Sequence, residues 1–426
     1  MRLSCQYDIL LNVLQDVASV VEDVMADAET QNIIFRFTLD ENGTPGIKMV
    51  GYSPTLIYKR VFGDDDCYSL SVEPTDVKDN GVGYLQIRSK DLIGFLSSYK
   101  SLKRTRVKEV IFEPVRDKIK CTVLECPIIS AEKQQEIQEN RDYDPEYIDP
   151  IEEQEYVSQY MFTSIPMKPN IIQRIEYEAP EEGYQELEDA DLKVYTETMF
   201  KNLENINGLY GTMCFLGSHV GVSTRSFTSV MMNFTVKDGE NSVFQDMGLP
   251  YKALSFIDKI VCRCRYFKVA KTPTKLFFQL DTGEACVDYI TKGIKGFDTQ
   301  RSLFKKDSFF VLDKLYFRDI LKRLALSDSS IKFCVHAADG KLSVGNDVYS
   351  QDIEFMSSHN IDQYENIHFD VMPKNADAAL LDTEKFLPDE DDMYVYLCAS
   401  DRKDQVYVCF ADKRALWFSM LKTKVY

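Results

Sequence analysis

Between positions 313 and 326 the apolar residues Leu315, Phe317, Ile320, Leu321, Leu324 and Leu326 fall roughly three and four apart. That spacing predicts an amphipathic helix. Lys314, Arg318, Lys322 and Arg323 interrupt the stripe and give the helix a basic face. A short apolar strand, 309–312, precedes it. Two strands, 331–336 and 341–345, follow it around the turn Asp339-Gly340, a hairpin signal between alternating runs. The unit reads strand, helix, hairpin, and it recurs along the chain.

Residues 1–127 carry it twice. Strand 1–5 leads into a helix over 8–28, with Ile9, Leu10, Val13, Leu14, Val17, Val20, Val21 and Val24 at helical spacing. Strands 32–39, 47–52, 56–62, 67–72 and 83–88 follow. A second helix over 90–102 precedes Lys103, Arg104, Arg106 and Lys108, then strands 109–113 and 118–124. Residues 189–306 repeat the scheme. A helix over 192–203 leads to strands 211–216, 220–224 and 229–236, and a helix over 251–262 leads to strands 275–280 and 285–290. In 307–426 the opening unit continues with strands 350–356 and 366–372, a helix over 375–386, and strands 393–399, 405–410 and 415–421. The reading is therefore α+β, with three repeated domains and six half-units, each a helix and antiparallel strands.

The segment 128–188 breaks the rhythm. It is acidic and polar, with little apolar periodicity, and reads as an exposed linker or an insertion at a domain edge. Charge sharpens the contrast. The net charge of −18 argues, by itself, against a nucleic-acid binder. Yet 128–190 holds 17 Asp and Glu against 4 Lys and Arg, a local −13 that leaves −5 for the rest. An acidic total is compatible with a local basic surface, because the near field depends on where the charges sit.

Composition excludes several classes. A chain of 426 residues, 44% hydrophobic, has ample core. No apolar run is long enough to cross a bilayer. MRLSCQYDIL has no export-signal pattern, and eleven cysteines outside a secreted framework read as reduced thiols in a cytoplasmic protein. Cys262-x-Cys264 and Cys121-x4-Cys126 are not metal pairs, and His219, His336, His359 and His368 are scattered. No GxxxxGK[ST], GxSxG or HExxH motif occurs. Asp391-Asp392 and Asp64-Asp65-Asp66 are the remaining metal candidates, and both sit in turn-like contexts that favour simple solvation. The expectation is a non-enzyme, without metal or cofactor.

The repeated architecture resembles that of DNA polymerase sliding clamps, above all the three-domain bacterial beta clamp. MRLSCQYDILLNVLQDV is similar to a clamp N-terminus, DLIGFLSSYKSLKRTRVKEVIFE to a second clamp helix with its basic exit, and LYFRDILKRLALSDSSIKFCVH to the opening of a third domain. The resemblance covers about 360 residues and omits the acidic segment. It implies a processivity factor, bacterial or phage-encoded, that encircles double-stranded DNA and tethers polymerase, with a clamp loader as further partner. It also implies two chains closing a six-domain ring. Lys100, Lys103, Arg104, Arg106, Lys252, Lys259, Arg263, Arg265, Lys314, Arg318, Lys322 and Arg323 would face the DNA. Val222, Thr224, Arg225 and Phe227, with Met420, Leu421, Val425 and Tyr426, would line a pocket for partner peptides, without the family's loop histidine. Against this stands the first helix, with Asp8, Asp16, Glu22 and Asp23 and no Lys or Arg. The competing reading is a non-ring polymerase accessory factor or a viral structural protein of similar beta-rich build. A nuclease is the third.

Overall fold

The structure is a computed structural model that describes residues 1–21, 31–62, 67–78, 80–144, 147–152, 154–186, 203, 209–217, 219–232, 243–292, 294–326, 329–386, 391–400, 402, 405–414 and 417–425. Contacts divide the chain into two compact units. One comprises Met1–Glu186, Lys259–Ala270 and Lys275–Val287; the other comprises Leu187–Asp258, Lys271–Thr274 and Asp288–Tyr426.

The first unit holds two antiparallel sheets. The five-stranded sheet runs Cys67–Ser71, Arg2–Cys5, Thr105–Val115, Lys118–Pro127, Tyr156–Thr163. The eight-stranded sheet runs Gln185–Glu186, Phe267–Lys271, Lys275–Leu280, Gly283–Asp288, Leu56–Val61, Pro45–Tyr52, Asn32–Leu39, Val82–Arg88. Its middle joint pairs strands more than 200 positions apart, from Gly283↔Arg60 to Val287↔Leu56. Gly283 makes that approach possible, since a Cβ there would lie 2.1 Å from the Lys59 carbonyl oxygen. Sheet continuity, not chain order, thus decides which residues group together.

Helix Tyr7–Val20 buries Leu10, Leu14 and Val17 on this framework. It sits so close to strand Pro45–Tyr52 that a Cβ on Gly51 would come within 2.3 Å of the Val17 carbonyl oxygen. The Tyr7 hydroxyl donates to the Leu96 carbonyl at 2.7 Å, tying this helix to the second one, Ser89–Ser97. The expected continuation over 22–28 lies outside the described residues.

The acidic segment is more ordered than a linker. Helix Ala131–Tyr143 starts at Ser130, whose hydroxyl accepts from the Lys133 N–H. Strand Tyr156–Thr163 then adds to the five-stranded sheet, from Lys118↔Thr163 to Glu125↔Tyr156. Helix Pro169–Ile175 sets Ile171 and Ile175 against Ile34, Val50, Tyr52 and Ile57. Just beyond it, the Glu176 carboxylate accepts a bidentate pair from Arg36, at 2.5 and 2.9 Å, and a bond from the Tyr84 hydroxyl at 2.9 Å. Two isoleucines and one half-buried ion pair therefore anchor a stretch whose overall composition is polar.

The second unit is built on one branched antiparallel sheet. Its main path runs from Met247–Pro250 through Thr212–Leu216, His219–Ser223, Phe227–Met232, Trp417–Val425, Ile367–Val371 and Ile331–His336 to Lys341–Gly345 and Ser350–Glu354. Helix Lys314–Leu324 follows strand Phe309–Asp313 as the spacing predicts. The Asp313 carboxylate caps it by accepting the Tyr316 N–H at 2.7 Å. Phe317, Ile320, Leu321 and Leu324 enter a core that also takes Phe227 and Leu421. Helix Pro373–Phe386 matches its expected position, whereas Ile294–Ser302 is a helix that periodicity does not announce. The expected helix over 192–203 lies outside the described residues except for Leu203.

Candidate nucleic-acid interface and peptide site

The candidate cations differ sharply in access. Lys100, Lys103, Arg104 and Arg106 are exposed around the short 3-10 turn Ser98–Ser101 and the start of strand Thr105–Val115. The first three have no carboxylate within salt-bridge distance among the described residues. Arg106 directs its Nε toward Cys126 Sγ at 3.4 Å. Lys259, Arg263 and Arg265 are exposed near the end of helix Tyr251–Lys259 and in the turn after it, and Lys252 is half-buried. On helix Lys314–Leu324, Lys322 and Arg323 are exposed in the last turn, where cations also complement the helix dipole.

One candidate needs correction. Lys314, the first residue of its helix, is 5% exposed, and its backbone N–H donates to the Asp391 carbonyl at 2.8 Å. It is not a phosphate contact. Arg318 is half-buried, with its side chain 31% exposed. Exposed Lys90 and Lys268 belong with the accessible cations although neither was among the residues expected to face the DNA. The signal for both was proximity to a helix of a half-unit, at its start and beyond its end.

The acidic first helix has a structural answer. Asp8, Asn12 and Gln15 form its exposed polar face, while Asp16 turns to Arg263 at 3.0 Å. Burial pushes the Asp16 carboxyl above the ordinary carboxylate range, opposed by the Arg263 and Arg60 guanidiniums. Part of the negative charge on this helix is therefore compensated by a cation from the second helical stretch. Glu22 and Asp23 lie outside the described residues, as do Asp64, Asp65 and Asp66. Asp391 and Asp392 are exposed, and no group of three or more potential metal ligands occurs among the described residues.

The residues expected at the peptide pocket do meet, but mostly inside the protein. Phe227 pairs with Leu421, and Thr228 with Met420, across strands Phe227–Met232 and Trp417–Val425. Val222, Phe227, Met420 and Leu421 are all buried. Phe227 and Leu421 share one core with Phe317 and Phe410, and Val425 packs at its margin. Their apolar character is explained by that packing. Thr224 and Val425 are half-buried and Arg225 is exposed. These three are the accessible remainder, and Tyr426 lies outside the described residues.

No family model and no curated protein matches the sequence. Solved structures do match, along the whole chain. The beta chain of DNA polymerase III from Streptococcus pneumoniae aligns with a TM-score of 0.64 at 13% identity, over 99% of each chain. The chain has the sliding-clamp fold. The beta subunit of a Streptococcus pyogenes DNA polymerase aligns at 0.64 and 11% identity, again over 99% of each chain. A Helicobacter pylori beta clamp, solved bound to a DNA ligase peptide, aligns at 0.61 and 13%, over 99% of each. The clamp fold is α+β, three repeated domains of paired helices on antiparallel sheets, as the pattern of elements implies. Full-length coverage means that the acidic segment is accommodated within that fold instead of displacing part of it.

Proposed function

We propose that the chain is a DNA polymerase processivity factor, a sliding clamp that encircles duplex DNA and tethers polymerase and other replication proteins, with no chemistry of its own. The supporting observation is the clamp fold along 99% of the chain. In this reading the clamp domains are 1–127, 189–306 and 307–426, and 128–188 is an insertion. Two copies close a six-domain ring, the closed symmetric solution for a three-domain chain. A clamp loader opens it, in the cytoplasm of a bacterium or a phage-infected cell. The non-ring accessory factor or viral structural protein is not favoured, because the clamp fold runs along 99% of the chain.

A ring that slides must attract phosphate without gripping it. Exposed Lys100, Lys103, Arg104, Lys259, Arg265, Lys322 and Arg323 supply a non-specific, salt-sensitive attraction. The acidic remainder repels DNA from other surfaces and maintains solubility. Partner peptides would dock beside Thr224, Arg225 and Val425; that a protein of this fold takes such a peptide at all is supported by the Helicobacter pylori clamp, solved bound to a DNA ligase peptide.

The test is escape from DNA ends. The protein is bound to surface-tethered duplexes whose far ends are either free or blocked by a bulky adduct. Encirclement predicts much longer retention on the blocked duplex at moderate salt. Equal dissociation from both would contradict it.

A further inference from the structure

Cys398 and Cys409 stand on neighbouring strands of the second unit, Asp392–Ala399 and Gln405–Ala411. Cys398 lies opposite Tyr407 and Cys409 opposite Tyr396, so the two cysteines are diagonal neighbours on one face of the sheet. Diagonal neighbours can reach each other through their side chains. Here the two sulfurs are 3.9 Å apart. A disulfide needs them about 2 Å closer, an approach shared between two rotatable side chains. Both thiols are free and buried, in a core with Tyr396, Phe418 and Met420.

Their surroundings are unequal. The Lys305 N–H donates to Cys398 Sγ at 3.2 Å, and the Cys398 thiol can donate to the Lys305 carbonyl at 3.3 Å. Lys305, Lys306 and Asp307 are all exposed. The backbone that touches this sulfur therefore belongs to a surface segment, the link between helix Ile294–Ser302 and strand Phe309–Asp313. Phe304 holds that link down by stacking on Phe418, with ring centroids 4.1 Å apart. Cys409 lies deeper, fully buried and opposite Met420 of strand Trp417–Val425.

The proton between the sulfurs favours one of them. Hydrogen bonds from Cys409 and from the Lys305 N–H hold the Cys398 thiol below its ordinary value, while burial pushes Cys409 up. The thiolate is the nucleophilic form of cysteine, so Cys398 is the reactive member and Cys409 its reserve.

We propose that Cys398 and Cys409 are a peroxide-sensitive pair that closes to a disulfide beneath the Lys305 segment. The Cys398 thiolate attacks one oxygen of hydrogen peroxide and the O–O bond breaks. The hydroxide released takes up the proton that Cys398 lost and leaves as water, and Cys398 becomes a sulfenic acid. The Cys409 sulfur then displaces the sulfenic hydroxyl, which leaves with the Cys409 proton as a second water. Two thiols and one peroxide give one disulfide and two waters, with two electrons passed from sulfur to peroxide. Closure draws Cys398 Sγ toward Cys409, takes the acceptor from the Lys305 N–H, and crosslinks two strands beside the one that carries Met420. None of this chemistry depends on a ring.

The test treats the folded, full-length protein with hydrogen peroxide, alkylates the remaining thiols under denaturing conditions, and maps the cysteines by mass spectrometry. The wild type should yield a Cys398–Cys409 crosslinked peptide, two hydrogens lighter than the reduced pair and cleaved by dithiothreitol. Hydrogen exchange at the Lys305 amide should be faster in the oxidised protein. Cys409→Ala should leave Cys398 as a sulfenic acid that dimedone labels, whereas Cys398→Ala should leave Cys409 unlabelled, with circular dichroism as the folding check. If either variant fails to fold, the wild-type map decides alone. Recovery of both thiols fully alkylated after peroxide would overturn the pair. So would Cys398 joined to other cysteines as often as to Cys409, and dimedone on Cys409 in place of Cys398 would overturn the assigned order.

Discussion

The helices that open the first and third repeats have the same frame and opposite surfaces. Arg2–Cys5 leads into Tyr7–Val20, and Phe309–Asp313 leads into Lys314–Leu324. Both bury an apolar stripe, Leu10, Leu14 and Val17 in one and Phe317, Ile320 and Leu324 in the other. Outside, the first shows Asp8, Asn12 and Gln15, while the third shows Lys322 and Arg323. The buried stripe specifies the element. The exposed face is left free for function, and the two repeats use that freedom differently.

The largest effects should be common to both helices. Leu14→Ala and Phe317→Ala each remove a fully buried side chain and should each cost about 3 kcal/mol or more in chemical denaturation. A cost below about 1 kcal/mol at either position would mean that one frame is not load-carrying. DNA affinity should instead separate them. Replacing Lys322 and Arg323 by Ala should reduce the slope of log affinity against log salt by about 1.8, whereas Gln15→Ala should leave it unchanged. Equal effects would erase the functional contrast.

Smaller effects sharpen it. Asp313 caps its helix by a side-chain hydrogen bond and Gln6 does not. Asp313→Ala should therefore lower the stability of the second unit by about 1 kcal/mol, and Gln6→Ala should change little, both read from denaturant midpoints. The smallest effect concerns Asp16. Its carboxyl is raised from 3.8 chiefly by burial, so its favourable contribution is present below that value and fades as pH rises through the raised one. Asp16→Asn should flatten that step in a plot of melting temperature against pH. Because Arg263 is largely exposed, the change at neutral pH should stay below about 1 kcal/mol.

Most regular elements were legible because their patterns are local. Helix Lys314–Leu324 and its hairpin follow from periodicity and one Asp-Gly turn. Strand Tyr156–Thr163 was not legible, since among its residues only Phe162 is buried and no alternation results. Helix Pro169–Ile175 hid for a related reason, because two buried isoleucines in seven residues make no stripe. The joint between Gly283–Asp288 and Leu56–Val61 could not be read, as pairing over such separation leaves no local mark. At the candidate site, residue type reveals the sign of a charge and not its exposure. Lys314 and Lys322 look alike in sequence, yet one is buried and the other open. The peptide-site residues illustrate the converse: Phe227 and Leu421 are apolar because they belong to a core.

The central claim is a hollow ring of two chains, and small-angle X-ray scattering with in-line mass measurement addresses it most directly. The account predicts a mass of two 49.1 kDa chains and a distance distribution that requires a central hole. A compact particle of one chain at every concentration would contradict it.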